Sequence, residues 1–205
     1  MGEDNMKKGI LAICLVTLIS QGYSFKDQTP KTNFRQATWG MTLRKVIKIE
    51  GNEPQRKMKG ENGLDILMYS GKAESLSIVY AYYFVNNKLV QGRYTFSDEH
   101  TNKNAYIDDF NKVKDSLIGK YGKPTDDNMF WSNNLYKDDP AKWGMAVAAG
   151  HLGCQAKWTL NDTIIVLQLK GDNSNITHAV QYASSIKEHI DLVKKAEEAA
   201  KKNIW

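Results

Sequence analysis

Cysteine is scarce in this chain: among 205 residues only Cys14 and Cys154 carry a thiol. Cys14 lies inside an apolar N-terminal run, so an exported mature chain keeps Cys154 alone and an internal disulfide scaffold is excluded. That apolar run, Gly9 to Ile19, falls short of the roughly 20 residues a bilayer-spanning helix needs. No transmembrane anchor is expected once it is removed. Charge of one sign is missing too, since 28 basic residues face 23 acidic ones for a net +5 spread along the chain. Without a basic patch interleaved with aromatics, nucleic acid is not an expected partner. The densest basic cluster, Arg56, Lys57 and Lys59, reads as a solvated loop.

Chemical motifs are equally sparse. His100, His151, His178 and His189 are scattered, and none has a second ligand at the i, i+4 spacing that joins two donors on one helix face, so no metal is expected. Asp126-Asp127 and Asp138-Asp139 lack the alternating oxygen ligands of a calcium loop. There is no glycine-rich phosphate cradle and no Gly-x-Ser-x-Gly elbow, so no cofactor and no hydrolase signature are read. Asp108-Asp109 suits the N-terminal turn of a helix, where the dipole favours carboxylates. The neighbouring His151 and Cys154 would need a shared hydrogen bond and an orienting group to act as a nucleophile pair. Cys154 instead shares strand parity with Ala156, Trp158 and Leu160, the inward face of a strand.

What is present begins with an address. Met6 to Ser24 carries Lys7 and Lys8, then the apolar run, then Gly22 and Ser24, which suits cleavage before Phe25. The residue before Cys14 is Ile13 and the apolar run continues through Ile19, which does not suit lipid attachment. The expectation is an exported protein, periplasmic or secreted.

The remainder has the 41% hydrophobic content of a globular chain and states one plan twice. Thr38 to Glu50 places Leu43, Val46 and Ile47 on one helix face and stops at Gly51 and Pro54; Tyr106, Phe110, Val113, Leu117 and Tyr121 repeat the pattern, with Asn104 as N-cap and Gly122-Lys123-Pro124 as stop. A hairpin follows each helix: Ser77–Val85 and Lys88–Phe96 about Asn86-Asn87, then Cys154–Leu160 and Thr163–Leu169 about Asn161-Asp162. Further strands are expected at Ile66–Tyr69, Met129–Trp131, Met145–Leu152 and Ala179–Ser184. From Ser185 a helix carries the stripe Ile186, Ile190, Val193 and Ala196. The class is α+β: a signal with upstream extension at 1–24, repeats at 25–100 and 101–184, and a terminal helix at 185–205.

Two motifs carry a resemblance. Phe34-Arg35, Trp39-Gly40-Met41-Thr42, Val46 and Glu50-Gly51, followed by Lys120-Tyr121-Gly122-Lys123-Pro124, resemble the corresponding positions of a group of exported bacterial proteins of unknown function. The helix, Gly-x-Pro and antiparallel-sheet unit is similar to the repeat of β-lactamase-inhibitor-like folds and of small envelope assembly lipoproteins. The likeness implies binding through a sheet face or loops, with an envelope protein as partner, and carries over no catalytic residue.

Trp39-Gly40-Met41 also has a structural reading, as an apolar cover and turn before a helix capped by Thr42. Tyr69, Tyr80, Tyr82, Tyr83, Phe84 and Tyr94 crowd the first sheet, and Ser77–Val85 is apolar on both faces. Either the other repeat and the terminal helix cover the second face, or it is an aromatic platform for a partner. Trp39, Tyr80, Tyr82 and Tyr94 are the candidate binding residues. The expected function is a binding or interaction module of the envelope; the alternative is an envelope hydrolase, or its accessory, with a site between the repeats.

Overall fold

A computed structural model describes residues 32–60 and 63–202. The export segment, the cleavage position before Phe25 and Cys14 lie outside the described residues. Helix α1 (Leu43–Glu50) precedes a meander of β1 (Arg56–Lys59), β2 (Leu64–Ala73), β3 (Leu76–Val85) and β4 (Lys88–Phe96). Helix α2 (Ala105–Tyr121) precedes a second meander of β5 (Asp126–Trp131), β6 (Leu152–Thr159), β7 (Thr163–Asp172) and β8 (Asn175–Ser184). A short helix, α3 (Trp143–Ala148), interrupts the second meander after β5, and α4 (Lys187–Lys202) follows β8. The fold is α+β: the eight strands form one sheet in the order β1-β2-β3-β4-β8-β7-β6-β5. Every neighbouring pair is antiparallel.

The seam of the sheet is the β4–β8 pair, where Arg93 lies opposite Gln181. Strand alternation gives one face to the helices, and there Leu67, Tyr69, Tyr82, Phe84, Ala156, Trp158, Ile165 and Leu167 are all buried. Phe110, Val113 and Leu117 of α2 cover the second meander's share of this face. The opposite face carries half-buried Met68, Val79, Gln91, Arg93, Lys157 and Gln168. Part of it is covered, because α4 lies against β3, where Ala81 and Val85 of that face are buried. No helix among the described residues is long and apolar enough to cross a membrane.

Several local expectations change. Met145–Leu152 is not a strand: its first half belongs to α3, because the run Ala146-Val147-Ala148 is short and helix-forming and buries all three side chains on the sheet. Gly144 makes that docking feasible, since a Cβ there would stand 2.1 Å from the Lys103 carbonyl carbon. Arg56–Lys59 is an edge strand instead of a loop, recognisable only by its pairing with β2.

Helix caps also come from elsewhere. Thr42 makes no side-chain cap; the Leu43 N–H donates to Asn87 Oδ1 at 3.1 Å. Asn104 stands at the N-cap position of α2 without a side-chain cap; its side chain instead holds the start of α3, accepting from the Gly144 N–H at 2.7 Å and donating to the Pro140 carbonyl at 3.0 Å. The terminal stripe splits: Ile186 and Ile190 are exposed, Val193 and Ala196 are half-buried, and His189 is buried at the start of the helix. His189 Nδ1 lies 2.8 Å from Ser184 Oγ, which satisfies the imidazole inside.

The two Asn-led turns are not equivalent. Asn86-Asn87 joins β3 to β4, whereas Asn161-Asp162 joins β6 to β7. By strand order the counterpart of Asn86-Asn87 is Asn173-Ser174, and both pairs, like Glu74-Ser75, hold two successive residues at positive φ as tight hairpins require. The stretch 132–151, which contains α3, lies between β5 and β6, whereas residues 60–63 separate β1 from β2.

Candidate functional site

The Phe-Arg and Glu-Gly motifs meet inside the first meander. Phe34 lies over Gly92, where a Cβ would come within 2.2 Å of its ring, and its centroid is about 5 Å from those of Tyr82, Tyr94 and Tyr182 (5.1, 4.9 and 5.3 Å). Arg35 takes a left-handed conformation, φ 53°, which turns its guanidinium onto the Tyr80 ring at 3.9 Å. Its Nε donates to Glu50 Oε1 at 3.0 Å. The Glu50 side chain is only 4% exposed, and it also accepts from the Tyr80 hydroxyl at 3.1 Å and from the Tyr82 hydroxyl. Burial, reinforced by that carboxylate, pushes the Tyr82 phenol well above its ordinary range.

Of the four candidate binding residues, Trp39, Tyr80 and Tyr82 are buried and Tyr94 is half-buried, so they do not form one exposed platform. Tyr80 and Tyr82 are committed to Glu50. The Trp39 indole N–H donates to Thr163 Oγ1 at 2.9 Å, joining the first helix approach to the second meander. Tyr94 lines a hollow of about 230 Å³ under α2, beside Val113, Leu117 and Tyr182. Cys154 is buried on the face shared with Ala156 and Trp158, and burial pushes its thiol up to about 11. His151 stacks on Tyr136 with 5.9 Å between centroids, and no hydrogen bond joins it to Cys154 among the described residues.

A cleft of about 630 Å³ opens at one end of the β4–β8 seam. Its walls are the end of β4, the connection to α2, the first turns of α2 and the β7–β8 turn, with His178 of β8 also lining it. His100 is its best-fixed side chain: Nε2 lies 2.6 Å from Asp109 Oδ2, and the ring meets Tyr106 edge-on at 4.7 Å. The His100 main chain is held as well, its N–H donating to the Tyr106 hydroxyl at 3.2 Å and its carbonyl accepting from Lys103 Nζ at 2.9 Å. Asp98 accepts the Ser77 N–H at 2.6 Å. His178 is 3% exposed and stacks on Phe96 at 4.2 Å. Its Nε2 has no hydrogen-bond partner among the described residues, and burial pushes its pKa down to about 4, so the imidazole is neutral at pH 7.

Spacing in the sequence hid this group. His100 and His178 are far apart along the chain, and only the pairing of β4 with β8 brings their strand ends together. Asp109, which the helix dipole alone would explain, is also the partner of His100. Asp98, Glu99 and Asp109 face one lysine in the lining, Lys103, so acceptors outnumber cationic donors. No family model, curated protein or solved structure matches this chain. Function is therefore argued from this geometry. Among the described residues no group of three or more His, Cys, Asp or Glu side chains is placed to hold a metal ion.

Proposed function

We propose that this chain is an exported protein of the cell envelope that acts by binding, and that the cleft at the β4–β8 seam seats a polar ligand. The observation that carries the reading is the convergence of His100, Asp109, Lys103 and His178 from separate elements on one cleft of about 630 Å³, a size that suits a small molecule or a side chain of a partner. The export part rests on the charged start and short apolar run at Met6–Ser24. An internal duplication belongs to the same reading, supported by the mirror-like strand order and by a helix before each meander. The likeness to β-lactamase-inhibitor-like repeats is supported in the same way, and the cleft then lies where the two repeats adjoin.

One observation favours the hydrolase reading, the His100–Asp109 pair, which has the form of a general base with its orienting carboxylate. Against it, no hydroxyl or thiol among the described residues bonds to the His100 ring. Titration with amines, polyols and carboxylates, followed through the imidazole NMR signals of His100 and His178, tests the binding reading. Saturable shifts that vanish in Asp109→Asn are expected. Absence of any saturable shift, or turnover of ester or amide substrates that Asp109→Asn abolishes, would overturn it.

A further inference from the structure

The two edges of the sheet carry opposite chemistry. β1 is exposed at all four residues, Arg56, Lys57, Met58 and Lys59, and β5 is exposed from Asp126 to Phe130. Among the described residues each edge strand pairs on one side only, β1 with β2 and β5 with β6. Their outward N–H and C=O groups are therefore open to another strand. Arg56 and Lys59 have no ion partner among the described residues, while Lys57 meets only the exposed Glu53 at 2.7 Å. On the other edge Asp126 also has no ion partner among the described residues, and Asp127 takes Lys114 at 3.1 Å. Met129 and Phe130 are 43% and 55% exposed.

We propose that copies of this protein associate head to tail, the β5 edge of one against the β1 edge of the next, in one continued sheet. The strand order makes this geometrically natural. Seven antiparallel pairings separate β1 from β5, so the two edge strands run in opposite directions. A second copy set alongside in the same orientation presents an antiparallel β1 with its helices on the same side. Face parity agrees as well: Lys57 and Lys59 share the helix-side face with Asp127 and Met129, and Arg56 and Met58 share the other with Asn128 and Phe130. One register then sets Lys59 opposite Asp127, the Lys57 stem on Met129 and the Arg56 guanidinium on Phe130, combining an ion pair, an apolar contact and a cation–π contact. The contact is heterologous, so it leaves a free edge at each end and continues into a chain of copies. With only four residues in β1 the association is weak and depends on charge.

Sedimentation of the purified protein over a concentration series tests this. The weight-average mass should climb past that of a dimer at low salt and fall back toward the monomer at about 1 M salt, where screening reaches about 3 Å. Lys59→Glu and Asp127→Lys should each be monomeric alone, because each sets like charges across the contact. Their equimolar mixture should associate again, since both new contacts are complementary. A protein that stays monomeric at low salt, or a dimer that stops at two copies and survives Lys59→Glu, would overturn the proposal. Should Asp127→Lys fold poorly through loss of Lys114, a chain carrying Lys57→Cys and Met129→Cys decides the matter. It should form a ladder of disulfide-linked multimers on mild oxidation, and absence of bands beyond the monomer would count against the proposal.

Discussion

The two meanders share a strand order and differ in what fills them. The first is built from rings and an ion pair buried on its acidic side: Phe34, Tyr69, Tyr80, Tyr82 and Tyr94 pack around Glu50 and its half-exposed partner Arg35. The second is built from Ile165, Leu167, Leu169, Ala156 and Trp158 under a helix. Helix length accounts for the difference. α2 has 17 residues and covers its strands with its own apolar side, whereas α1 has eight and buries only Val46. The first half closes its face with the loop through Phe34 and Trp39, and a loop brings polar groups inside that must be paired. The Arg35–Glu50–tyrosine network does that pairing. One half is held by non-directional burial, the other by a directional network that fails if one member is lost.

The largest expected effect therefore falls in the first half. Glu50→Ala leaves two buried phenols and a half-exposed guanidinium without their acceptor, and should cost about 4 kcal/mol at roughly 1 to 3 kcal/mol for each buried donor left unsatisfied. Replacing Glu50 and Arg35 together should cost less than the sum of the two single changes. Urea unfolding of the three variants measures both. Additive losses would mean that the network does not act as a unit.

The second half should instead reveal itself through pH, because His178 is its buried ionisable group beside the cleft. The imidazole binds a proton near pH 6.5 when unfolded and only near pH 4 when folded. Between those values the unfolded chain holds more protons, so stability is present above pH 6.5 and is lost as pH falls toward 4. The loss approaches about 3 kcal/mol at 1.4 kcal/mol per unit. His178→Phe, which keeps the stack on Phe96, should flatten that part of the stability–pH curve. An unchanged slope would assign the acid sensitivity elsewhere.

A smaller effect tests how α3 docks on the second half. Gly144→Ala forces a methyl against the Lys103–Asn104 backbone, at 2.1 to 2.3 Å in the present structure, and should cost about 2 kcal/mol through overpacking. Because Lys103 and Asn104 lead into α2 beside the cleft, the same change should also shift the His100 imidazole signal. A stability loss with no such shift would mean that α3 and the cleft are independent.

What the sequence discloses about this contrast is uneven. α2, β4 and β7 follow from their own apolar period, and β3 from an apolar run bounded by turn residues. β1 is silent, because Arg-Lys-Met-Lys has no alternation and is a strand only through its partner. Asn87, read as a turn residue, is also the cap of α1, a role set by a contact 44 positions away along the chain. The Phe34-Arg35 and Glu50-Gly51 motifs are visible as text, yet their joint meaning depends on Tyr80 and Tyr82 arriving across the sheet. The cleft was illegible for the same reason: His178 lies on β8 and His100 in the connection after β4, and only the seam makes those strands neighbours. Local physics is written locally, and the pairing of β4 with β8 is not.

The finest test compares equivalent turns of the two halves. Asn87 and Ser174 both occupy the second position of the turn before the last strand of their meander, at φ 61° and 69°. Glycine adopts that conformation without the strain an L side chain carries there, a relief of about 1 kcal/mol. At Ser174 nothing offsets the gain, because the hydrogen bond it makes to Ala148 uses the backbone N–H, which glycine keeps. At Asn87 the same change removes the acceptor for the Leu43 N–H, and a lost cap costs about 1 kcal/mol. Ser174→Gly should raise stability by about 1 kcal/mol, while Asn87→Gly should leave it nearly unchanged. Urea midpoints of the two variants measure the difference. Equal gains at both positions would show that α1 draws nothing from Asn87, and that the first half is less dependent on its directional contacts than its geometry implies.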